Sequence, residues 1–221
     1  MILVPVKNLS KAKQRLAAVL DQRARTELAQ AMLHDVAASI ASWDRRPDAA
    51  LVTSDEFAIE IARRYDFEII PDPANPGETG AIETATRVCS ERGIDFTLVI
   101  PADIPLIQAS ELEEILAHAP AEGSVLVPAA DGRGTNAAYR RPPNLFPLRF
   151  GNDSFKPHFA AARASGKSCV VLQLPGIALD VDNPADLQQL MAQTGNTSAQ
   201  SLIRRWGIDN NHLLATGTEG L

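Results

Sequence analysis

The sequence predicts a single-domain α/β fold, a mostly parallel β-sheet with helices on both faces. Three observations carry that prediction. Seven short runs are apolar at nearly every position, as strands covered on both faces must be. Segments with apolar residues at three- and four-residue spacing alternate with them, the pattern of crossover helices between parallel strands. The chain has 221 residues, a size that one hydrophobic core can serve.

The first strand is expected at residues 2–6, ILVPV. A helix over residues 10–20 and a longer one over residues 22–43 follow, with Leu28, Met32, Val36 and Ile40 on one stripe of the second. Residues 49–53 (AALVT) form the next strand, residues 57–65 a helix and residues 67–70 a third strand. Residues 71–80 (PDPANPGETG) hold three prolines and two glycines and read as a loop at a strand end. A helix at 81–92, a strand at 96–100 (FTLVI), a helix at 109–119 and a strand at 124–128 (SVLVP) continue the alternation. Residues 131–153 interrupt it with a Gly-Arg-Gly-Thr turn, then Arg140-Arg141-Pro142-Pro143, and read as an insertion over the sheet edge. A helix at 156–166, strands at 169–174 and 178–181 and a helix at 184–194 complete the domain. Beyond Gly195 the chain is polar up to a short apolar helix around residues 202–206, and residues 216–221 are expected to be disordered. Residues 1–195 are therefore the expected domain and 196–221 a C-terminal helix and flexible tail.

Composition narrows the function. Hydrophobic residues make up 45% and charged residues 22%, so the chain is no disordered polymer. No apolar run approaches the length of a membrane span. The net charge of −6 argues against a nucleic-acid surface, though a local basic cluster could still hold a small anion. Two cysteines without CxxC spacing exclude a disulfide framework or zinc cluster and suit a reducing cytoplasm. No basic stretch precedes residues 2–6, so no secretory signal is expected.

Three segments could carry chemistry. In PVKNLSKAKQRL, Lys7, Lys11, Lys13 and Arg15 follow a strand end and precede a helix, which suits an anion site; a solvated basic helix face fits the spacing as well. The glycines of a phosphate loop are missing there. In Pro101-Ala102-Asp103-Ile104-Pro105 the carboxylate emerges directly from a buried strand, where it could hold Mg2+ or cap a turn. In Asp180-Val181-Asp182-Asn183-Pro184, Asp180 and Asp182 leave one side of an extended segment and could join Asp103 on one metal. Capping of the helix that starts at Pro184 would equally explain Asp182 and Asn183. The four histidines show no metal-ligand spacing, and no GxSxG elbow occurs.

Together PVKNLSKAKQRLA, LVTSD, VIPADIPL and LDVDNPADL resemble the guanylyltransferases of coenzyme F420 biosynthesis, the CofC or FbiD group of MobA-like nucleotidyltransferases. The resemblance implies the Rossmann-like, nucleotide-diphospho-sugar transferase type of fold. It implies transfer of GMP from GTP to phosphoenolpyruvate, 2-phospho-L-lactate or 3-phospho-D-glycerate, with Mg2+ as cofactor. Carried over, Lys7, Lys13 and Arg15 would hold the triphosphate, and Lys13, Arg15 and Asp103 would be catalytic. Asp103 and Asp182, with Asp180, would ligate Mg2+. Thr53, Ser54 and Asp55 would lie near the nucleoside, and Thr135, Gly151 and Ser154 would hold the acid. In Gly80-Ala81-Ile82-Glu83, Glu83 stands at a position where the family carries an asparagine, and would accept hydrogen bonds from guanine. A related nucleotidyltransferase with another acceptor or nucleotide, or a non-catalytic nucleotide-binding module, are the alternatives.

Overall fold

The computed structural model of the protein describes residues 1–73, 77–151 and 153–207. Part of the proline-glycine loop, Asn152, His212 and the expected disordered tail lie outside the described residues. The strands are β1 (Ile2–Pro5), β2 (Ala49–Thr53), β3 (Glu68–Pro71), β4 (Thr97–Val99), β5 (Gly123–Pro128), β6 (Thr135–Arg141) and β7 (Ser168–Val171). The helices are α1 (Gln22–Ala41), α2 (Glu56–Arg64), α3 (Glu78–Glu91), α4 (Ala109–Ala117), α5 (Phe155–Ala164), α6 (Pro175–Ala178), α7 (Pro184–Ala192) and α8 (Ser198–Arg205). One sheet runs β3-β2-β1-β4-β6-β5-β7. Every pairing is parallel except those of β6, which is antiparallel to both β4 and β5.

The period of two along each strand divides the core. Ile2, Val4, Leu51, Leu98, Val125 and Tyr139 face one layer, where Leu33, Val36 and Ile40 of α1 and Leu112 of α4 meet them. Leu3, Val52, Val99, Leu126 and Ala138 face the other layer, against Ile82, Ala85 and Cys89 of α3. A third cluster joins the far side of α1, through Leu28 and Met32, to Leu187 and Leu190 of α7 and Leu202 and Ile203 of α8. The two carboxylate oxygens of Asp35 in α1 accept the first backbone N–H groups of α8, from Ser198 at 2.7 Å and Ala199 at 2.9 Å. These are the groups a helix start leaves unpaired, so α8 is fastened to the domain at its N-terminus.

Three elements differ from expectation. The expected helix at residues 10–20 is two short 3-10 turns, Leu9–Lys11 and Gln14–Leu16. Lys13 between them has left-handed backbone, φ 56°, which no α-helix accommodates. The expected insertion at 131–153 contains the strand β6, whose apolar centre Ala137-Ala138-Tyr139 is masked in sequence by Arg140 and Arg141. Arg140 is buried because Phe146 O and Thr86 Oγ1 accept its N–H groups at 2.6 and 2.8 Å. The expected strand at 178–181 is instead the end of the one-turn helix α6, started by Pro175, and an extended segment. Two backbone bonds, Val181 N–H to Asp103 O at 3.1 Å and Ala130 N–H to Ala178 O at 2.8 Å, hold that segment beside β4 and β5 without sheet pairing.

Candidate active site

The strand order turns back between β1 and β4, and ligands of open parallel sheets bind outside the strand ends at such a point. A cleft of about 830 Å³ lies there. The loops that leave β1 and β4 supply Lys7, Lys13, Arg15 and Asp103 to its wall. Because β6 runs against its neighbours, its first residues, Thr135 and Asn136, stand at the same edge as the last residues of β4. Gly151, Asp153 and Ser154, from the loop before α5, and Asp180 and Asp182 close the cleft.

Lys13 is the centre of this arrangement. Its Nζ donates to Asp103 Oδ2 at 2.6 Å and to Asp182 Oδ1 at 2.8 Å. The lysine side chain is only 7% exposed. Burial alone would lower its pKa, but the two carboxylates outweigh that and hold it above the ordinary lysine value. For Asp182, burial acts upward and Lys13 and Arg15 act downward, and the net shift is downward. Arg15 lies 3.6 Å from the second oxygen of Asp182. An ammonium has three donors, and two are used here. The strained backbone of Lys13 costs about 1–2 kcal/mol, and the paired carboxylates hold it in place.

Asp180 is held differently. Asn136 Nδ2 donates to its Oδ1 at 3.0 Å and also reaches the carbonyls of Ile177 and Ala178. Burial raises the pKa of Asp180, against the opposing Asn136 bond, and Asp103 adds to the rise. Among the described residues no group of three His, Cys, Asp or Glu side chains is arranged to hold a metal. Asp103 and Asp182 converge on the Lys13 ammonium, and Asp180, with Oδ1 on Asn136, lines the same cleft.

Thr135, Gly151 and Ser154, expected to hold the acid, all line the cleft. Thr135 and Ser154 are buried, and their hydroxyl oxygens are 3.3 Å apart. Arg133 ties the two segments together through Asp153, with Nε to Oδ1 at 2.5 Å, and its carbonyl accepts from Phe155 N–H at 2.8 Å.

The residues expected near the nucleoside are placed elsewhere. Thr53, Ser54 and Asp55 are not among the cleft-lining residues. Asp55 caps α2 by accepting from Ala58 N–H at 3.1 Å, and its other oxygen accepts from Leu9 N–H at 3.0 Å, which anchors the basic loop. Thr53 is buried and its Oγ1 accepts from Asp55 N–H. Glu83 is also displaced: it is exposed and lines a separate depression of about 420 Å³ with Arg87 and Asn144. The residue of α3 that faces the cleft is Glu78, at the start of the helix after Gly77 with φ 100°. The loop-to-helix glycine is therefore Gly77, where positive φ favours glycine, and not Gly80 inside the helix. Burial, reinforced by Asp103, pushes the Glu78 carboxyl up to about 7.

Sequence reasoning also missed Asn136 and His158. An asparagine in an apolar strand was a signal for the first, since a buried amide needs partners. For His158, its place four residues after Ser154, on the same helical face, was the signal.

The chain matches the family model described as CofC-like guanylyl transferase over residues 1–216. It belongs to that family. The protein is therefore a guanylyltransferase, one of the nucleotidyltransferases. It is 36% identical to the phosphoenolpyruvate guanylyltransferase of Roseiflexus castenholzii, covering 92% of this chain and 93% of that one. It is 34% identical to the 2-phospho-L-lactate guanylyltransferase of Methanothermobacter thermautotrophicus, covering 92% and 89%. It is 33% identical to the 3-phospho-D-glycerate guanylyltransferase of Colwellia psychrerythraea, covering 86% and 90%. A structure from Desulfovibrio desulfuricans G20 described as a nucleotide-diphospho-sugar transferase has the same fold, with a TM-score of 0.74 at 20% identity over 97% of this chain and 96% of that one. Among the described residues no helix is long and apolar enough to cross a membrane.

Proposed function

We propose that the protein transfers GMP from GTP to a small phosphorylated carboxylic acid, phosphoenolpyruvate, 2-phospho-L-lactate or 3-phospho-D-glycerate, as a step in making coenzyme F420. The observation that carries this is Lys13 buried between two strand-end carboxylates, Asp103 and Asp182, in a cleft that also presents paired hydroxyls from Thr135 and Ser154. A phosphate oxygen of the acid attacks the α-phosphorus of GTP, the bond to the bridging oxygen breaks, and pyrophosphate leaves. The attacking oxygen is already ionised near neutral pH, so no side chain has to take a proton. The obstacle is repulsion between two anions, which positioned cations relieve.

Lys7, Lys13 and Arg15 face the triphosphate. The third N–H of Lys13 is directed to a phosphate oxygen while the other two stay on Asp103 and Asp182. Those two carboxylates are hard oxygen donors whose converging oxygens hold the Lys13 ammonium; their other oxygens would be the ones to hold Mg2+, an ion that takes one or two carboxylates and completes its shell with phosphates and water. When bound, Mg2+ would neutralise the α-phosphate charge. Asp180, with Oδ1 held by Asn136, adds a carboxylate beside Asp103 and Asp182 in the same cleft. Thr135, Ser154 and the backbone at Gly151 receive the acid's anionic groups. Pyrophosphate release measured with each of four NTPs against the three acids tests this reading. GTP with one of the acids is expected to give turnover. Turnover with another NTP or none of the acids overturns it.

A further inference from the structure

His158 lies behind the expected acid pocket, outside the residues that line the cleft, yet it contacts Thr135 and the segment that leads to Gly151. It is buried, 1% exposed, on the first turn of α5. Its Nε2 is 2.7 Å from the backbone N of Arg149. A backbone N–H can only donate, so Nε2 accepts, and a neutral imidazole must then carry its proton on Nδ1. Nδ1 is 2.9 Å from Thr135 Oγ1, so it donates there. Thr135 Oγ1 in turn shares a hydrogen bond with Ser154 Oγ.

Counting hydrogens gives the consequence. His158 Nδ1–H and the two hydroxyls supply three hydrogens for two internal contacts. One hydroxyl hydrogen is therefore left over, whichever hydroxyl donates to the other. Both hydroxyl residues line the cleft. The same ring holds the loop that carries Gly151: it fixes Arg149 N–H, and the ring of Phe150 packs edge-on at 5.2 Å, while Phe150 N–H bonds Thr79 Oγ1 at 3.0 Å.

We propose that His158 is a positioning residue for the acid substrate. By donating from Nδ1 to Thr135 it takes no hydroxyl hydrogen from the Thr135–Ser154 pair and fixes the direction in which the spare one points, and by accepting from Arg149 it sets the Gly151 loop beside that pair. Burial, helped by Arg140, lowers the imidazole to about 4, so the ring stays neutral and its donor and acceptor sides stay as assigned near pH 7. The inference rests on the reading of Thr135, Gly151 and Ser154 as the acid pocket.

Two measurements test it. Nitrogen-15 NMR of the ligand-free protein labelled at histidine should show the His158 ring, assigned as the signal missing from His158→Asn, neutral and protonated on Nδ1 at pH 7. In phosphoenolpyruvate-dependent pyrophosphate release, or release with whichever of the three acids is turned over, His158→Leu should raise KM for the acid about tenfold or more. The spare hydroxyl hydrogen survives in that variant, but Thr135 Oγ1 and Arg149 N–H lose the partner that orients them, and a misaligned hydrogen bond to a charged group costs about that much. KM for GTP should stay within twofold, and His158→Asn, which restores a donor near Nδ1, should recover much of the loss. A His158 ring protonated on Nε2, or a folded His158→Leu enzyme with wild-type KM for the acid, overturns the proposal. Thr135→Val and Ser154→Ala separate the two possible failures. If they impair acid binding and His158→Leu does not, the pocket stands and the positioning role falls. If they too leave KM for the acid unchanged, the pocket assignment itself is wrong and the inference falls with it.

Discussion

Replacing Lys13 by methionine removes the cation and keeps most of the side-chain volume. The Asp103 and Asp182 oxygens it bridges, at 2.6 and 2.8 Å, can be no further apart than the sum of those contacts. At an effective dielectric of about 20, two unit charges roughly 5 Å apart repel by about 3 kcal/mol. The carboxylates are 29% and 38% exposed, so water and salt reduce that to roughly 1–2 kcal/mol. The loss in catalysis should be larger than the loss in stability, because the ammonium also faces the charge that develops on the departing pyrophosphate. Removing one such preorganised donor typically costs about 100- to 1,000-fold in kcat. Steady-state pyrophosphate release should therefore fall by that factor, with KM for GTP raised more than KM for the acid. Lys13→Gly distinguishes charge from backbone. Lys13 has φ 56°, and glycine relieves about 1 kcal/mol of left-handed strain. The glycine variant should thus melt a few degrees above the methionine variant, yet be equally inactive. A folded Lys13→Met enzyme with kcat within twofold of wild type and an unchanged KM for GTP would refute the reasoning.

Three further outcomes are expected. Asp103→Asn should keep the fold, by circular dichroism and melting temperature, and lose about 100-fold or more in turnover because one of two convergent carboxylates is neutralised; more than half of wild-type activity in the folded variant contradicts its role. Glu83→Gln should leave KM for GTP unchanged in the same assay, because Glu83 lines the separate depression and not the cleft; a severalfold rise would return it to the nucleotide site. His158 has a folded-state pKa of about 4, below the 6.5 of an unfolded histidine. Below pH 6.5 the unfolded chain therefore binds the extra proton, and the stability contributed by the neutral ring, up to about 3 kcal/mol, is lost as pH falls from 6.5 toward 4. Urea unfolding at pH 7 and pH 5 should show a smaller stability loss in His158→Asn than in wild type, and equal losses would refute the assignment.

The architecture was legible because most elements announce themselves locally. Apolar runs such as Ala49–Thr53 can be buried on both faces only as interior strands, and Leu28, Met32, Val36 and Ile40, at four-residue spacing, can all be buried along one element only as a helix. The strand ends that bear Asp103, and the basic loop after β1, follow from the same local pattern. β6 was not legible, because Arg140 and Arg141 reverse the apolar signal, and the reason arginine is tolerated at 140 lies in Phe146 O and Thr86 Oγ1. Its antiparallel direction, which depends on pairing with β4 and β5, is what brings Thr135 and Asn136 to the edge that holds Asp103.

The sequence by itself determined the fold class and the chemistry available at each strand end, since these depend on residue type, spacing and periodicity, and its motifs carried the resemblance to the family. Tertiary structure alone decided which groups meet. It joined Lys13 to carboxylates 90 and 169 residues away. It turned Asp180 to Asn136, put Glu78 and not Glu83 on the cleft, and set His158 behind Thr135. Contacts between residues so distant in the chain are set by strand order and direction and by the left-handed turn at Lys13. Hydrogen-bonding capacity is a property of each residue, but its partner is a property of the packed fold.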